Sequence, residues 1–336
     1  MTPMSTSKEG TRRIWYKTAI NEAMREEMER DERVFVIGED VDIFGGVFKI
    51  TKGLVERFGH RRVRGTPISE SAFFGLATGA AMTGLRPIVE IMYVDFALVG
   101  MDQLINQAAS ISYMSGGRVR VPIVFRGQYG VGTSEAAQHS RNFESWIVNT
   151  PGMKVVMPST VYDAKGLLKA AIRDDNPVLY LENRNLYTVA EEVPRGEWLV
   201  SLGVAEVKRS GGDITVVATG FAVHKALAAA EKLAGSADVE VVDPRTLDPL
   251  DMETILASVR RTGNLLVVQE GVPKAGFAAE VIRRTVEEGF DALEHAPQAL
   301  GAWDVPVPFS PVLERAAIPQ TDDVVAAVRR MLGIGE

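Results

Sequence analysis

Two short segments hold the residues best suited to chemistry. Thr66-Pro67-Ile68-Ser69-Glu70 places a carboxylate at a turn between apolar stretches, and Gln138-His139-Ser140 places an imidazole in a Gly-rich loop further along. The run after Glu70, Ser71-Ala72-Phe73-Phe74-Gly75-Leu76-Ala77, is apolar enough to desolvate the carboxylate and favour its neutral form. A carboxyl group poised in that way suits proton transfer near neutral pH. The plain alternative is a helix-start carboxylate, with Ser69 capping the helix that follows. The residues alone leave both open. His139 is one of four histidines, beside His60, His224 and His295, and it has no second histidine or carboxylate at ligand spacing. A lone histidine is as a rule structural. This one follows a strand and a Gly-rich turn, where open parallel sheets gather their binding residues.

Other patterns narrow the field. Gly127-Gln128-Tyr129-Gly130-Val131-Gly132 is not in dinucleotide-fingerprint order, and no Gly-Lys-Ser/Thr P-loop exists, so the run reads as a loop needing positive φ. No Gly-x-Ser-x-Gly elbow supports a serine hydrolase. Met92, Tyr93 and Phe96 form an apolar and aromatic cluster that reads as core. Nowhere does a Gly-Asp-Gly run followed by Asn offer to hold a diphosphate through a metal. The Glu70 and His139 segments therefore look like half an active site, with the other half on a different polypeptide.

Composition agrees with a soluble intracellular protein. The formal charge of −7 argues against nucleic-acid binding, which needs clustered Lys and Arg; Arg61-Arg62-Val63-Arg64 is short and reads as a solvated or interface face. The absence of cysteine excludes disulfides, thiolate catalysis and cysteine-ligated metals. No stretch approaches the roughly 18 apolar residues of a membrane span, and the first residues lack a signal-peptide core. A reducing cytoplasm is the expected setting.

The elements that must position these groups alternate between short apolar runs and amphipathic segments, the rhythm of parallel strands joined by helices. Strands are expected at 34–37, 87–96, 121–125, 154–157, 177–182, 214–218, 239–242 and 265–269. Helices are expected at 71–83, 162–173, 222–233 and 324–332, with another capped by Asp248 and opened by Pro249. The fold class is α/β, two doubly wound domains with mostly parallel sheets. The expected boundaries are a flexible tail at 1–11, a first domain at 12–190, a connection at 191–212 that in part pairs with a sheet, and a second domain at 213–336.

These residues, in this order, resemble one family. Gly38-Glu39-Asp40, Thr66-Pro67-Ile68-Ser69-Glu70, Met114-Ser115-Gly116-Gly117, Ala137-Gln138-His139-Ser140, Asp163-Ala164-Lys165-Gly166-Leu167-Leu168, Asp174 to Pro177 and Val305 to Phe309 look like the beta subunit of the thiamine-diphosphate-dependent 2-oxoacid dehydrogenases. The resemblance implies an N-terminal pyrimidine-binding domain and a C-terminal transketolase-like domain. It implies that Glu70 hydrogen-bonds the aminopyrimidine of thiamine diphosphate and favours its imino tautomer, and that His139 assists acyl transfer to lipoate. It places Glu39, Met92 and Phe96 at the cofactor, with Met92 and Phe96 flanking the pyrimidine. It places a structural potassium ion on the backbone carbonyls of Ile123, Ala171, Ile172, Asp174 and Asn176. Magnesium and the diphosphate site fall to an alpha subunit in an α2β2 heterotetramer, and a dihydrolipoyl acyltransferase core is the further partner.

Substrate subtype stays open. Phe44-Gly45-Gly46-Val47-Phe48 looks like the branched-chain enzymes, and Pro67-Ile68-Ser69-Glu70 like the pyruvate and acetoin enzymes; pyruvate is the first expectation. Arg141 stands where many relatives carry Gln. It recruits a substrate carboxylate or shifts His139 if it faces the site, and bears on neither if it faces solvent. Two rival readings are half of a split transketolase or deoxyxylulose-phosphate synthase, and a non-catalytic assembly subunit.

Overall fold

The structure is a computed structural model that describes residues 10–335. Its first part runs β1 (Thr11–Trp15), α1 (Tyr16–Arg30), β2 (Val34–Glu39), α2 (Leu54–Phe58), β3 (Val63–Thr66), α3 (Glu70–Met82), β4 (Arg86–Ile91), α4 (Ile111–Met114), β5 (Val124–Tyr129), α5 (Glu144–Val148), β6 (Lys154–Val156), α6 (Val161–Arg173), β7 (Val178–Asn183) and β8 (Ala190–Pro194). The second runs β9 (Glu206–Arg209), β10 (Ile214–Ala218), α7 (Ala222–Lys232), β11 (Val239–Asp243), β12 (Thr246–Asp248), α8 (Met252–Thr262), β13 (Leu265–Val268), α9 (Phe277–Gly289), β14 (Gln298–Leu300), α10 (Pro311–Ala317) and α11 (Thr321–Leu332).

Two sheets result. The larger has the order β12-β6-β7-β5-β4-β2-β3 and is parallel apart from β12; the smaller has the order β14-β13-β10-β11-β9 and is parallel apart from β9. Every residue of β2, β4, β5 and β7 is buried, as helices on both faces of a parallel sheet require. One apolar cluster lies on the α1/α6 side of the larger sheet. Another continues from Phe74 and Phe125 in the first domain to Val267 and Phe277 in the second, so the two domains share a core. Beneath the strand ends, Arg126 is wholly buried, bidentate to Glu182 (2.5 and 2.8 Å) and bonded to Glu90. A guanidinium fork matched to carboxylates is the arrangement that lets such charges stay inside.

The strands and helices expected from the sequence fall close to their observed places, and the departures have local causes. Residues 1–9 of the expected tail lie outside the described residues. Thr11, counted with that tail, instead opens β1, because its backbone pairs with Pro194 of β8. Within the expected connection, β8 completes that ribbon and β9 joins the second sheet, leaving 195–205 without helix or strand. Thr246–Asp248, placed by sequence in the second domain, pairs instead with β6 in the first sheet. That pairing removes Asp248 from the N-cap role. Asp251 caps α8, accepting from Thr254 N at 3.0 Å. Ser69 holds the N-cap position of α3, but its hydroxyl turns back to donate to Pro67 O at 3.0 Å.

Candidate active site

Four neighbouring parallel strands deliver the candidate residues to one edge of the larger sheet. In the order β3-β2-β4-β5, the carboxyl ends lead to Glu70, Glu39, Met92 to Phe96, and the loop that carries His139. Ligands of open α/β sheets bind outside these ends. The sequence directs the chain there by simple means. β2 ends at Gly38-Glu39, and Gly38 lies where an added Cβ would meet Glu90 O at 2.8 Å, so only glycine lets β2 and β4 run this close. Beyond β4 the expected strand stops at Ile91, and a tight 3-10 segment at Val94–Gly100 turns Phe96 across the sheet end.

Glu39 and Glu70 are both buried, at 6% and 5% exposure. Glu39 Oε1 has no hydrogen-bond partner, and the Glu70 carboxylate makes no hydrogen bond among the described residues. Burial, and after it the neighbouring Glu70, Asp40 and Glu90 carboxylates, push the Glu39 carboxyl up to about 7. Two neighbouring carboxylates without protein donors, one with a fully enclosed oxygen, form a cradle that an N–H-bearing ligand would complete.

His139 is half-buried and stands edge-on to two rings, Tyr93 at 5.1 Å and Phe96 at 5.3 Å between centroids. Met92 and Phe96, assigned to core by the residues alone, are half-buried at the strand end beside it. Asp95, which the sequence reading passed over, lies under this group. It accepts from Arg141 N at 3.2 Å, and burial raises its carboxyl to about 6. An aspartate inside Tyr93-Val94-Asp95-Phe96-Ala97 was the available signal. Also unforeseen is a clamp around Tyr93. Its hydroxyl donates to Glu135 at 3.1 Å and accepts from Arg184 at 2.8 Å, Arg184 pairs with Glu135, and the guanidinium stacks on Phe48. Arg141 has a half-exposed side chain, with Nε donating to Ala137 O and 3.9 Å from Asp95.

The expected cation residues gather where α6 ends. Ile172 O and Asp174 O accept from Arg86 at 2.9 and 2.7 Å, Ala171 O from Asp174 N at 3.2 Å, and Ile123 O from Val178 N at 2.9 Å. Asp174 also pairs with Lys154 and accepts from Asn176 N. Each carbonyl keeps a second lone pair, but the Arg86 guanidinium already brings a positive charge to two of them, so a bound cation would have to share them with it.

A large cavity, about 1340 Å³, is elsewhere. It lies between the domains, walled by Arg141, Glu144 and Trp146 on one side and Val272, Lys274 and Phe277 on the other. None of Glu39, Glu70, Met92, Phe96 and His139 lines it.

Residues 12–189 match the transketolase pyrimidine-binding domain, and residues 203–324 match the transketolase C-terminal domain. A solved structure described as a split gene transketolase, inactive beta4 tetramer, superimposes with a TM-score of 0.79 at 23% identity, covering 96% of this chain and 100% of that one. That likeness concerns the fold. Among curated proteins, the pyruvate dehydrogenase E1 component subunit beta of Rhizobium meliloti (strain 1021) is 47% identical over 93% of this chain and 68% of its own. The acetoin:2,6-dichlorophenolindophenol oxidoreductase subunit beta of Cupriavidus necator is 44% identical, over 97% and 99%. The mitochondrial pyruvate dehydrogenase E1 subunit beta of Caenorhabditis elegans is 45% identical, over 98% and 95%. The two domain matches and the fold together define the transketolase-like class. Within it, the chain belongs to the family of pyruvate dehydrogenase E1 and acetoin oxidoreductase beta subunits, which are thiamine-dependent oxidoreductases.

Proposed function

We propose that this chain, joined to an alpha subunit, decarboxylates a 2-oxo acid, pyruvate first, and passes the acyl group to a lipoyl group. The observation that carries the reading is the pair of donor-less carboxylates, Glu39 and Glu70, on the same sheet edge as His139 and its aromatic neighbours. Those acceptors and the flat apolar wall of Met92 and Phe96 fit an aminopyrimidine ring. Thiamine diphosphate, once bound, supplies the electron sink for decarboxylation. Glu70 holds a proton at the ring edge, Glu39 supplies a second carboxyl that titrates near neutrality, and Met92 and Phe96 fix the ring plane. His139 moves a proton as the acyl group leaves for lipoate. Magnesium and the diphosphate belong to the alpha chain in this reading, since the sequence has no Gly-Asp-Gly run to hold them.

Exposed apolar residues next to the site support a partner. Ile68 is 81% exposed, and Leu76 and Val99 stand out on α3 and on the segment packed against it. An α2β2 assembly and an acyltransferase core complete the proposal. No helix among the described residues is long and apolar enough to cross a membrane. Bacterial and mitochondrial relatives support an internal compartment, and we assign the cytoplasm. Potassium on the carbonyls at the end of α6 is part of the same reading; neutral oxygens at the negative end of a helix suit a monovalent cation. Its check is a melting temperature higher in potassium than in sodium chloride at equal ionic strength.

The deciding experiment is calorimetry with thiamine diphosphate and magnesium, on the chain co-purified with its alpha partner and on the chain alone. Tight binding by the assembly only is expected. Equal binding by the chain alone would overturn the division of labour. Screening pyruvate, acetoin and branched-chain 2-oxo acids on the assembly then names the substrate.

A further inference from the structure

The loop that carries His139 is held in an improbable shape. Gly130 and Gly132 have φ of +102° and +104°, and the non-glycine residues Ser134 and Ala136 also sit in the left-handed region, at +58° and +60°. Such conformations persist where the surroundings over-determine them. On the first-domain side Asn185 Nδ2 donates to Val131 O at 2.6 Å, and Glu135 is gripped by Arg184 and Tyr93. From the second domain one side chain among the described residues hydrogen-bonds this turn. Glu314 of α10, 2% exposed, accepts from Gly132 N at 2.7 Å, Ser134 N at 3.0 Å and Ser134 Oγ at 3.3 Å.

We propose that Glu314 is a positioning residue: its carboxylate latches the Gly132–Ser134 turn and so sets the place of His139 between Tyr93 and Phe96. The physical grounds are specific. Three donors converge on one buried carboxylate, and charge-assisted bonds to backbone N–H groups are about twice as strong as neutral ones. Both latched residues, Gly132 and Ser134, lie at positive φ, seven and five positions before His139. Removing the carboxylate leaves the part-buried N–H groups of Gly132 and Ser134 without their acceptor and free to turn toward water, and the loop relaxes with them. The second domain thereby acts on a site to which it contributes no side chain of its own. Nothing in the sequence around Leu313-Glu314-Arg315 announces this role.

The proposal rests on the reading of His139 given above, and the test separates the two. Glu314→Ala, Glu314→Gln and His139→Ala are each assembled with the alpha subunit. Pyruvate turnover is measured with an artificial electron acceptor, and acyl transfer with an isolated lipoyl domain. Hydrogen exchange of the Gly132 and Ser134 amides is followed in the same preparations. For Glu314→Ala we expect exchange at those amides to rise about tenfold or more, consistent with local opening. Transfer to the lipoyl domain should fall about tenfold or more in kcat, with KM for pyruvate within about threefold, the pattern of misplaced geometry. Glu314→Gln keeps the shape and one acceptor oxygen, so it gives the same signs at smaller size, about threefold, should Glu314→Ala not fold. Unchanged exchange in both variants overturns the latch. Raised exchange with undiminished transfer, while His139→Ala has lost transfer, overturns the positioning role. Normal transfer by His139→Ala overturns the reading of His139, and the positioning role with it.

Discussion

Two sets of buried carboxylates in this molecule have opposite company. At the edge of the larger sheet, Glu39 and Glu70 have acceptor oxygens with no donor. At the joint between the domains, the second domain supplies the carboxylates and the first supplies donors: Glu314 takes Gly132 and Ser134, Glu270 takes Asn183 (2.5 Å), and Asp243 takes Ser159. Burial is common to both sets. It raises Glu39 to about 7 and Asp243 to about 6. Donors make the difference. A joint built for stability meets most of the charges it buries, whereas an edge built for a ligand leaves the meeting to the ligand.

Mutations can break this contrast. The largest effect on stability should come from Lys225→Met, which takes from Glu270 the ammonium 3.4 Å away and leaves a buried carboxylate with Asn183 alone. We expect a loss of roughly 3–5 kcal/mol in denaturant unfolding, the usual cost of breaking a buried pair; a loss below about 1 kcal/mol would show that the joint tolerates bare charge. Glu70→Gln should do the reverse, lowering turnover of the assembled enzyme by roughly 10² or more while the melting temperature holds. Less than about a threefold loss, with normal assembly, would remove Glu70 from the chemistry.

Glu144 tests the border between the sets. It lines the interdomain cavity, its Oε2 has no partner, and burial, with Glu270 nearby, raises its carboxyl to about 7. A carboxyl raised on folding favours the native state at low pH, and this contribution fades as pH climbs from the ordinary carboxyl range through the folded value. Between pH 5 and pH 7 the chain should lose on the order of 2 kcal/mol from this group, and Glu144→Gln should flatten that slope. An unaltered slope in the variant would assign the titration elsewhere. The smallest effect is expected for Glu39→Gln. Its carboxyl titrates near neutrality, so the variant should lose the limb of the kcat/KM profile near pH 7 and change the plateau only about threefold. Persistence of that limb would clear Glu39 of it.

The sequence announced the strands and most helices because their apolar runs are long and regular; Val34-Phe35-Val36-Ile37 needs no context to be read as a buried strand. α9 went unforeseen because its buried face, Phe277, Ala278, Val281 and Thr285, is small and partly polar. Glu70 and His139 were legible from their neighbours and, far more, from the family pattern they belong to. Asp95, Arg184, Glu135 and Glu314 were not, since each acts through a partner between 42 and 182 positions away, and no local pattern encodes such a pairing.

β12 has a practical consequence for anyone who would divide this protein. Three residues of the second half finish the sheet of the first, covering β6. A fragment ending in 195–205 would fold with β6 as a raw margin, its backbone groups open to the next copy, and aggregates would be the expected harvest. A protease cut in the same stretch of the intact chain should release nothing, because β12 and the shared apolar core hold the halves together. The two domains are separable on paper only; for expression, purification and inheritance the smallest usable piece runs through both.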